Sequence, residues 1–292
     1  MNVAEFGSPI ARRIYLALGY FDGMHLGHRA IAETVRSSAE KLGCAPAIST
    51  FADSPAGKTP VYSYHDRKEL YAECGMEICL TMYFSAVGRM TGGEFFRRLT
   101  ETYDIAGIAC GEDHTFGCDL LGVDELGKLC AEKNIPLTVV PTVYLEGVKV
   151  SSTLVKNYLL AGDVDAAKRV LVRPYHMRGP VISGDGRGRG IGVPTINIRI
   201  PTGIFAMKQG VYGTYTEVGG KRYRSVTNVG PRPTFMQNKF AVETNLIGYE
   251  GGSLLGETAS VEFYRYLRPI KKYASAEELV ARIKKDKEWT DL

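Results

Sequence analysis

Residues 19–30 read Gly19-Tyr20-Phe21-Asp22-Gly23-Met24-His25-Leu26-Gly27-His28-Arg29-Ala30, and their reading decides the fold of the first half of the chain. Ahead of them Ile14 to Leu18 is an apolar run with the length of a buried strand. Behind them Ile31, Val35 and Leu42 recur at helical spacing, with Ala30, Ala32 and Ala39 between and charges opposite. The stretch therefore predicts a strand, a Gly-rich turn and a helix. His25 and His28 are three residues apart and share a face where the helix begins. Two imidazoles beside the free N–H groups of a helix N-terminus suit phosphate oxygens, because the helix end attracts anions and the rings donate to growing charge. Gly19, Gly23 and Gly27 let backbone approach closely and turn where a Cβ would clash. A zinc site is disfavoured, since no third ligand stands at a suitable spacing.

The 292 residues can bury a substantial core and suit two domains better than one. Hydrophobic content of 45% and charged content of 23% are those of an ordinary globular protein, and no apolar run reaches the length of a membrane span. The first 18 residues lack the pattern of an export signal, so the expected compartment is the cytoplasm. The net charge of +4 is scattered, which calls for no nucleic-acid partner. Whether a protein partner exists is not legible from the sequence. Six cysteines, at 44, 74, 79, 110, 118 and 130, contain no CxxC pair and read as reduced thiols. None follows Cys130, and four of the five histidines precede residue 120, which points to two differently composed modules.

Further along, Ala45 to Phe51 is expected as a strand, 54–64 as a loop with three prolines and a Gly-Lys-Thr, and 65–75 as a helix. Strand 77–82, helix 91–103, strand 105–110, a Gly-punctuated loop 111–122, helix 124–133 and strand 137–143 follow. This alternation predicts a doubly wound parallel sheet with helices on both faces. Ser151, Ser152 and Thr153, flanked by Lys149 and Lys156, open another helix and read as a phosphate clamp. A short helical segment from Leu159 to Arg173 closes the first domain, placed at 1–172. In 173–292 short β-rich segments broken by Gly and Pro, without intervening helices, predict an antiparallel barrel or sandwich. A helix over 276–287 ends the chain.

In this half Gly184 to Asn197 concentrates the chemistry. Its glycines make a loop, Arg187 and Arg189 supply charge for phosphates, and Thr195 and Asn197 share a face where they could hold magnesium through ATP. Two arginines without interleaved aromatics make a poor RNA tract. With no histidine after His176, a carboxylate is the candidate base. Glu243 lies in an otherwise apolar and neutral strand, but its position alone does not select it.

With these motifs in order, the chain resembles the bifunctional bacterial riboflavin kinase/FMN adenylyltransferases, the FAD synthetases. GYFDGMHLGHRA resembles their adenylyltransferase signature, GEDHTFG their flavin-side loop, and VSSTLVKNYLLAGD their phosphate-binding helix start. GRGIGVPTIN is similar to their PTAN motif, and VETNLI to the strand bearing their catalytic glutamate. The resemblance implies a Rossmann-like HxGH nucleotidyltransferase followed by a riboflavin kinase barrel. Riboflavin, ATP, FMN and FAD would be substrates or products, and Mg2+ the cofactor. It implies catalytic roles for His25, His28 and Glu243. ATP in the first domain would meet Gly19, Phe21, Asp22, Gly23, Ser151, Ser152, Thr153 and Lys156, and flavin would meet Phe51, Asp113 and Phe116. ATP in the kinase would meet Gly188, Arg189, Gly192, Pro194, Thr195 and Asn197, with Thr195 and Asn197 on the metal and flavin against Glu243 and Arg268.

Four positions depart from the family pattern. His114 replaces an aromatic, TFADSP stands for TFDPHP so that Ser54 replaces a histidine, Lys156 replaces an arginine, and PTIN replaces PTAN. Two alternatives stay open from the sequence: a riboflavin kinase with adenylylation weakened or lost, and a flavin-binding regulator on the same fold.

Overall fold

The computed structural model describes residues 1–55, 57–184, 194–230 and 241–290. The chain divides into two compact units, Met1–Ser152 and Thr153–Leu292.

In the first unit six strands form a parallel sheet: β1 (Asn2–Glu5), β2 (Ile14–Ala17), β3 (Ala45–Phe51), β4 (Ile78–Met82), β5 (Ile105–Gly111) and β6 (Leu137–Val140). Their order is β1-β4-β3-β2-β5-β6. The chain leaves β2 toward β3 on one side, while β5 lies on the other. The C-terminal edge between β3 and β5 is therefore a topological switch point, where open α/β sheets place ligands. Strands β2 to β5 are almost wholly buried because their residues are apolar on both faces. The connecting helices are α1 (Leu26–Leu42), α2 (Tyr64–Glu73), α3 (Phe84–Val87), α4 (Gly92–Thr102) and α5 (Val123–Glu132).

Several elements differ from the sequence expectation. Strand β1 is largely exposed and shows no apolar alternation, so only its parallel pairing with β4 makes it a strand. Strand β6 stops at Val140 rather than residue 143, because Pro141 cannot donate to the ladder. A hairpin of β7 (Tyr144–Leu145) and β8 (Val148–Lys149) follows, turning through Glu146 and Gly147 at φ 52° and 79°.

The segment expected as one helix after Leu159 is the end of α6 (Ser152–Ala161) and the whole of α7 (Val164–Leu171). Gly162 at φ 80° ends the first, and the Asp163 carboxylate caps the second by accepting the Ala166 N–H at 2.9 Å.

The second unit is a closed antiparallel barrel of order β10-β13-β12-β11-β14-β9. Its strands are β9 (Tyr175–Ile182), β10 (Ile196–Ile198), β11 (Gly210–Val218), β12 (Lys221–Gly230), β13 (Ala241–Leu246) and β14 (Thr258–Arg268), followed by α8 (Ala276–Asp286). Inside, Thr214, Thr216, Ser225, Thr227 and Thr244 are completely buried and bond to one another at 2.7–2.8 Å, so each hydroxyl is satisfied without water. Outside, Val211 and Val226 pack under Trp289, whose indole N–H donates to the Ser225 carbonyl at 2.9 Å.

Gly213 leaves the space that this indole occupies, since a Cβ there would lie 2.3 Å from the Trp289 ring. Gly213→Ala is expected to destabilise the barrel by about 1–3 kcal/mol through overpacking. Because Trp289 is the chain's one tryptophan, its fluorescence should shift to the red as the ring is displaced. Denaturant unfolding followed at that emission checks both effects.

Candidate active sites in the two units

The turn from β2 into α1 is held at nearly every carbonyl. Ser49 Oγ donates to Ala17 O at 3.1 Å and accepts the Gly19 N–H at 3.2 Å. Thr50 Oγ1 donates to Tyr20 O, and Tyr71 donates to Phe21 O, each at 2.9 Å. The left-handed positions are Phe21 and Met24, at φ 50° and 44°, and not the three glycines. Both side chains are buried, so packing over-determines the strained backbone. The glycines serve close approach instead. A Cβ on Gly19 would meet the Phe21 ring at 3.0 Å, and one on Gly27 the His25 ring at 3.3 Å.

Asp22, only 4% exposed, lies beneath the turn. Its carboxylate accepts the Val61 N–H at 3.4 Å and the Ser152 hydroxyl. It thereby ties the turn to the loop after β3 and to the start of α6.

His25 is the N-cap of α1. Its Nδ1 accepts the His28 N–H at 3.3 Å, which leaves Nε2 to carry the ring proton. The two imidazoles stack with centroids 3.6 Å apart, and Phe21 meets His28 edge-on at 5.2 Å. Burial pushes His25 down to about 4 against a partial counter-pull from Asp22. Burial, then the neighbouring His25, holds His28 well below its ordinary range. His28 Nδ1 is buried without a hydrogen-bond partner among the described residues. Neither ring is charged near neutral pH, and the first turn of α1 carries no acidic residue to oppose an anion.

These imidazoles line a cavity of about 420 Å3 with Gly19, Phe21, Asp113, Ser151 and Ser152. A second cavity of about 580 Å3 is walled by Phe51, Met82, Phe84, Phe95 and Phe116. Phe51 meets Phe84 edge-on at 5.6 Å, while His114 stacks on Phe116 at 5.8 Å. Leu18, Gly19, Tyr20, Lys58, Asp113 and His114 line both cavities, so the two adjoin. Asp113 is paired with Lys149, and burial lowers His114 to about 4.

Asp22 and Gly23 support the turn without lining either cavity, and Thr153 and Lys156 are also not among the lining residues. Lys156 stands 5.8 Å from the Phe205 ring within the second unit. Ser54, where the family carries a histidine, accepts the Tyr20 hydroxyl at 3.4 Å. Sequence reasoning did not single out Tyr20, Lys58 or the buried Arg67. Arg67 donates to Thr50 Oγ1 at 2.7 Å and to Phe51 O at 2.9 Å, fixing the end of β3.

In the barrel, a cavity of about 290 Å3 is lined by Thr195, Asn228, Glu243, Asn245, Arg268 and Asp286, with Leu279 and Ile283 of α8. Thr195 donates its hydroxyl to Glu243 Oε1 at 2.6 Å. Strand register sets Asn197 and Asn228 opposite Glu243 on its two neighbours. Asn197 is not among the cavity-lining residues and lies against Gly184, where a Cβ would come within 2.0 Å of its amide. Pro194 accepts the Asn245 amide at 2.6 Å. Arg268 donates through Nε and Nη2 to Asp286 Oδ2, at 3.0 and 2.7 Å. Gly188, Arg189 and Gly192, expected at ATP, lie outside the described residues, as does Arg187.

Paired imidazoles at a helix N-terminus on a parallel sheet, and a barrel with a hydroxyl-bonded glutamate, define a nucleotidyltransferase unit joined to a kinase-like barrel. A family model for FAD synthetase matches residues 8–154, and one for riboflavin kinase matches residues 171–291. A bifunctional riboflavin kinase/FMN adenylyltransferase of Bacillus subtilis is 30% identical over 94% of this chain and 90% of its own length. One from Pseudomonas fluorescens is 31% identical over 95% and 92%. A solved Streptococcus pneumoniae structure, described as a macrolide-efflux protein, is 27% identical with a TM-score of 0.89, over 99% of this chain and 100% of that one. The chain belongs to the family of bifunctional riboflavin kinase/FMN adenylyltransferases. Among the described residues no helix is long and apolar enough to cross a membrane.

The histidine environments have a thermodynamic consequence. His25 and His114 near 4, His176 near 3 and His28 well below 6.5 stay neutral when folded, whereas the unfolded chain protonates them below about 6.5. Below that pH the unfolded state binds more protons, so stability falls from about pH 6.5 toward pH 4. Urea midpoints should be lower at pH 5 than at pH 7.5, and equal midpoints would contradict this reading of the imidazoles.

Proposed function

We infer that the chain converts riboflavin to FAD in two ATP-dependent steps. The supporting observation is the pair of adjoining cavities in the first unit. The aromatic one suits a planar flavin, and the imidazole-lined one at a helix N-terminus suits a triphosphate. We assign 1–172 to FMN adenylylation and 173–292 to riboflavin phosphorylation. Ser151 and Ser152 line the imidazole cavity, while α6 from Thr153 on and α7, which packs on β9 and β14, fall with the barrel in the division into compact units.

In the kinase step Glu243 would accept the proton of the ribityl 5′-hydroxyl as it attacks the γ-phosphate of ATP. Thr195, bonded to Glu243, supplies a neutral oxygen beside a carboxylate in the cavity, a donor set that fits magnesium held largely by phosphates and water, and Asn197, opposite Glu243 in the ladder though not a lining residue, would be the second oxygen. Magnesium bound there would neutralise phosphate charge. Arg268, fixed by Asp286, presents a cation at the flavin side of the cavity.

In the adenylyl step the FMN phosphate attacks the α-phosphate of ATP, and pyrophosphate leaves. His25 and His28 would donate to the charge that grows on the transferring group, while Ser151 and Ser152 hold the leaving phosphates. The six free cysteines suit a reducing compartment, which supports a cytoplasmic location.

Purified protein supplied with riboflavin, ATP and magnesium should make FMN first and FAD from it, followed by chromatography. His28→Ala should lower FAD formation roughly 100-fold or more while sparing FMN. Glu243→Gln should lower FMN formation by about 100-fold or more and leave FAD formation from supplied FMN intact. Loss of FMN formation in His28→Ala, or loss of FAD formation from supplied FMN in Glu243→Gln, would contradict the assignment.

A further inference from the structure

Adenylylation requires the FMN phosphate to leave the aromatic cavity and reach the imidazole cavity, so it must pass the wall that the two share. Of the six residues on that wall, Leu18 and Gly19 carry no charge, and the Tyr20 hydroxyl is engaged by Ser54. Asp113 is an anion already paired with Lys149, and His114 is neutral near pH 7. Lys58 is the cation of the set. Among the described residues its ammonium forms no ion pair.

Its loop is anchored at both ends. Before it, the Asp53 carboxylate accepts the Phe84 and Ser85 N–H groups at 2.5 and 3.1 Å. After it, Val61 and Tyr62 donate their N–H groups to Asp22, at 3.4 Å to the carboxylate and 3.1 Å to the backbone carbonyl. Near the tip the Lys58 N–H donates to Pro55 O at 2.9 Å, and Gly57 takes φ 75°. The lysine is thus presented on a short turn between fixed points, with prolines at 55 and 60 limiting what the loop loses on binding.

We propose that Lys58 binds the 5′-phosphate of FMN where the two cavities meet, and so makes the first unit select the phosphorylated flavin. The proposal rests on the adenylylation reading above. An ammonium gives a phosphomonoester a charge-assisted hydrogen bond that unphosphorylated riboflavin cannot receive. The site therefore accepts the product of the kinase step and passes over its substrate.

The test is steady-state FAD formation from supplied FMN and ATP by the full-length wild type, Lys58→Gln and Lys58→Arg, with FMN production from riboflavin measured on the same preparations. Lys58→Gln should raise KM for FMN roughly ten-fold or more and leave KM for ATP within about two-fold. Lys58→Arg should recover most of the loss. Rising ionic strength should raise KM for FMN more in the wild type than in Lys58→Gln. An unchanged KM for FMN, or a rise in KM for ATP alone, overturns the proposal while leaving the adenylylation reading in place. A wild type that makes FMN but no FAD overturns the reading itself. Circular dichroism melts of the variants separate a folding defect from lost binding.

Discussion

The candidate active site of the first unit depends on one buried carboxylate. Asp22 sits under a turn whose backbone is strained at Phe21 and Met24, and it holds the loop after β3 through Val61 and the start of α6 through Ser152. A left-handed non-glycine residue costs about 1–3 kcal/mol. Burying a Phe or Met side chain returns a similar amount, about 1.5–3 kcal/mol, so the strain is sustainable only while both side chains stay packed. Released from that clamp, the turn would relax, and His25 would lose its place as N-cap of α1. The chemistry of the imidazole pair is in this sense a property of the groups beneath it.

The two units reach comparable ends by different means. In the first, strand ends and loops converge at a switch point, and main-chain carbonyls are held by side chains from β3 and α2. In the second, ladder register does the positioning: Asn197, Glu243 and Asn228 fall in one row across three neighbouring strands of a closed barrel. The barrel interior beneath that row is a chain of hydroxyls rather than a purely aliphatic core. Small Thr and Ser side chains fit the narrow lumen there, and mutual hydrogen bonding removes the cost of burying them.

Much of this was legible in the sequence. The parallel sheet followed from alternating apolar runs and helical periodicities, and the barrel from β-rich segments without helices between them. His25 and His28 were legible because a strand, glycines and a helix start bracket them. What stayed hidden depends on tertiary contacts. Strand β1 has no pattern of its own and exists through its partner β4. The burden of positive φ falls on Phe21 and Met24, where composition pointed to the glycines. The Asp22 clamp joins residues 39 and 130 positions apart, a separation no local pattern encodes. Lys58 appeared only as part of a Pro-rich loop, and its place on the wall of both cavities emerges from the fold.

The central claim is that this clamped turn keeps two stacked imidazoles neutral at the N-terminus of α1, the state that the proposed adenylyl step requires of them. Titrating the ring nitrogens of His25 and His28 by nitrogen-15 NMR in the full chain tests it most directly. The account predicts that both rings are neutral at pH 6, with His25 taking up its proton only near pH 4 and His28 charging only well below the ordinary histidine range. Protonation of either ring near 6.5 in the folded protein would contradict it.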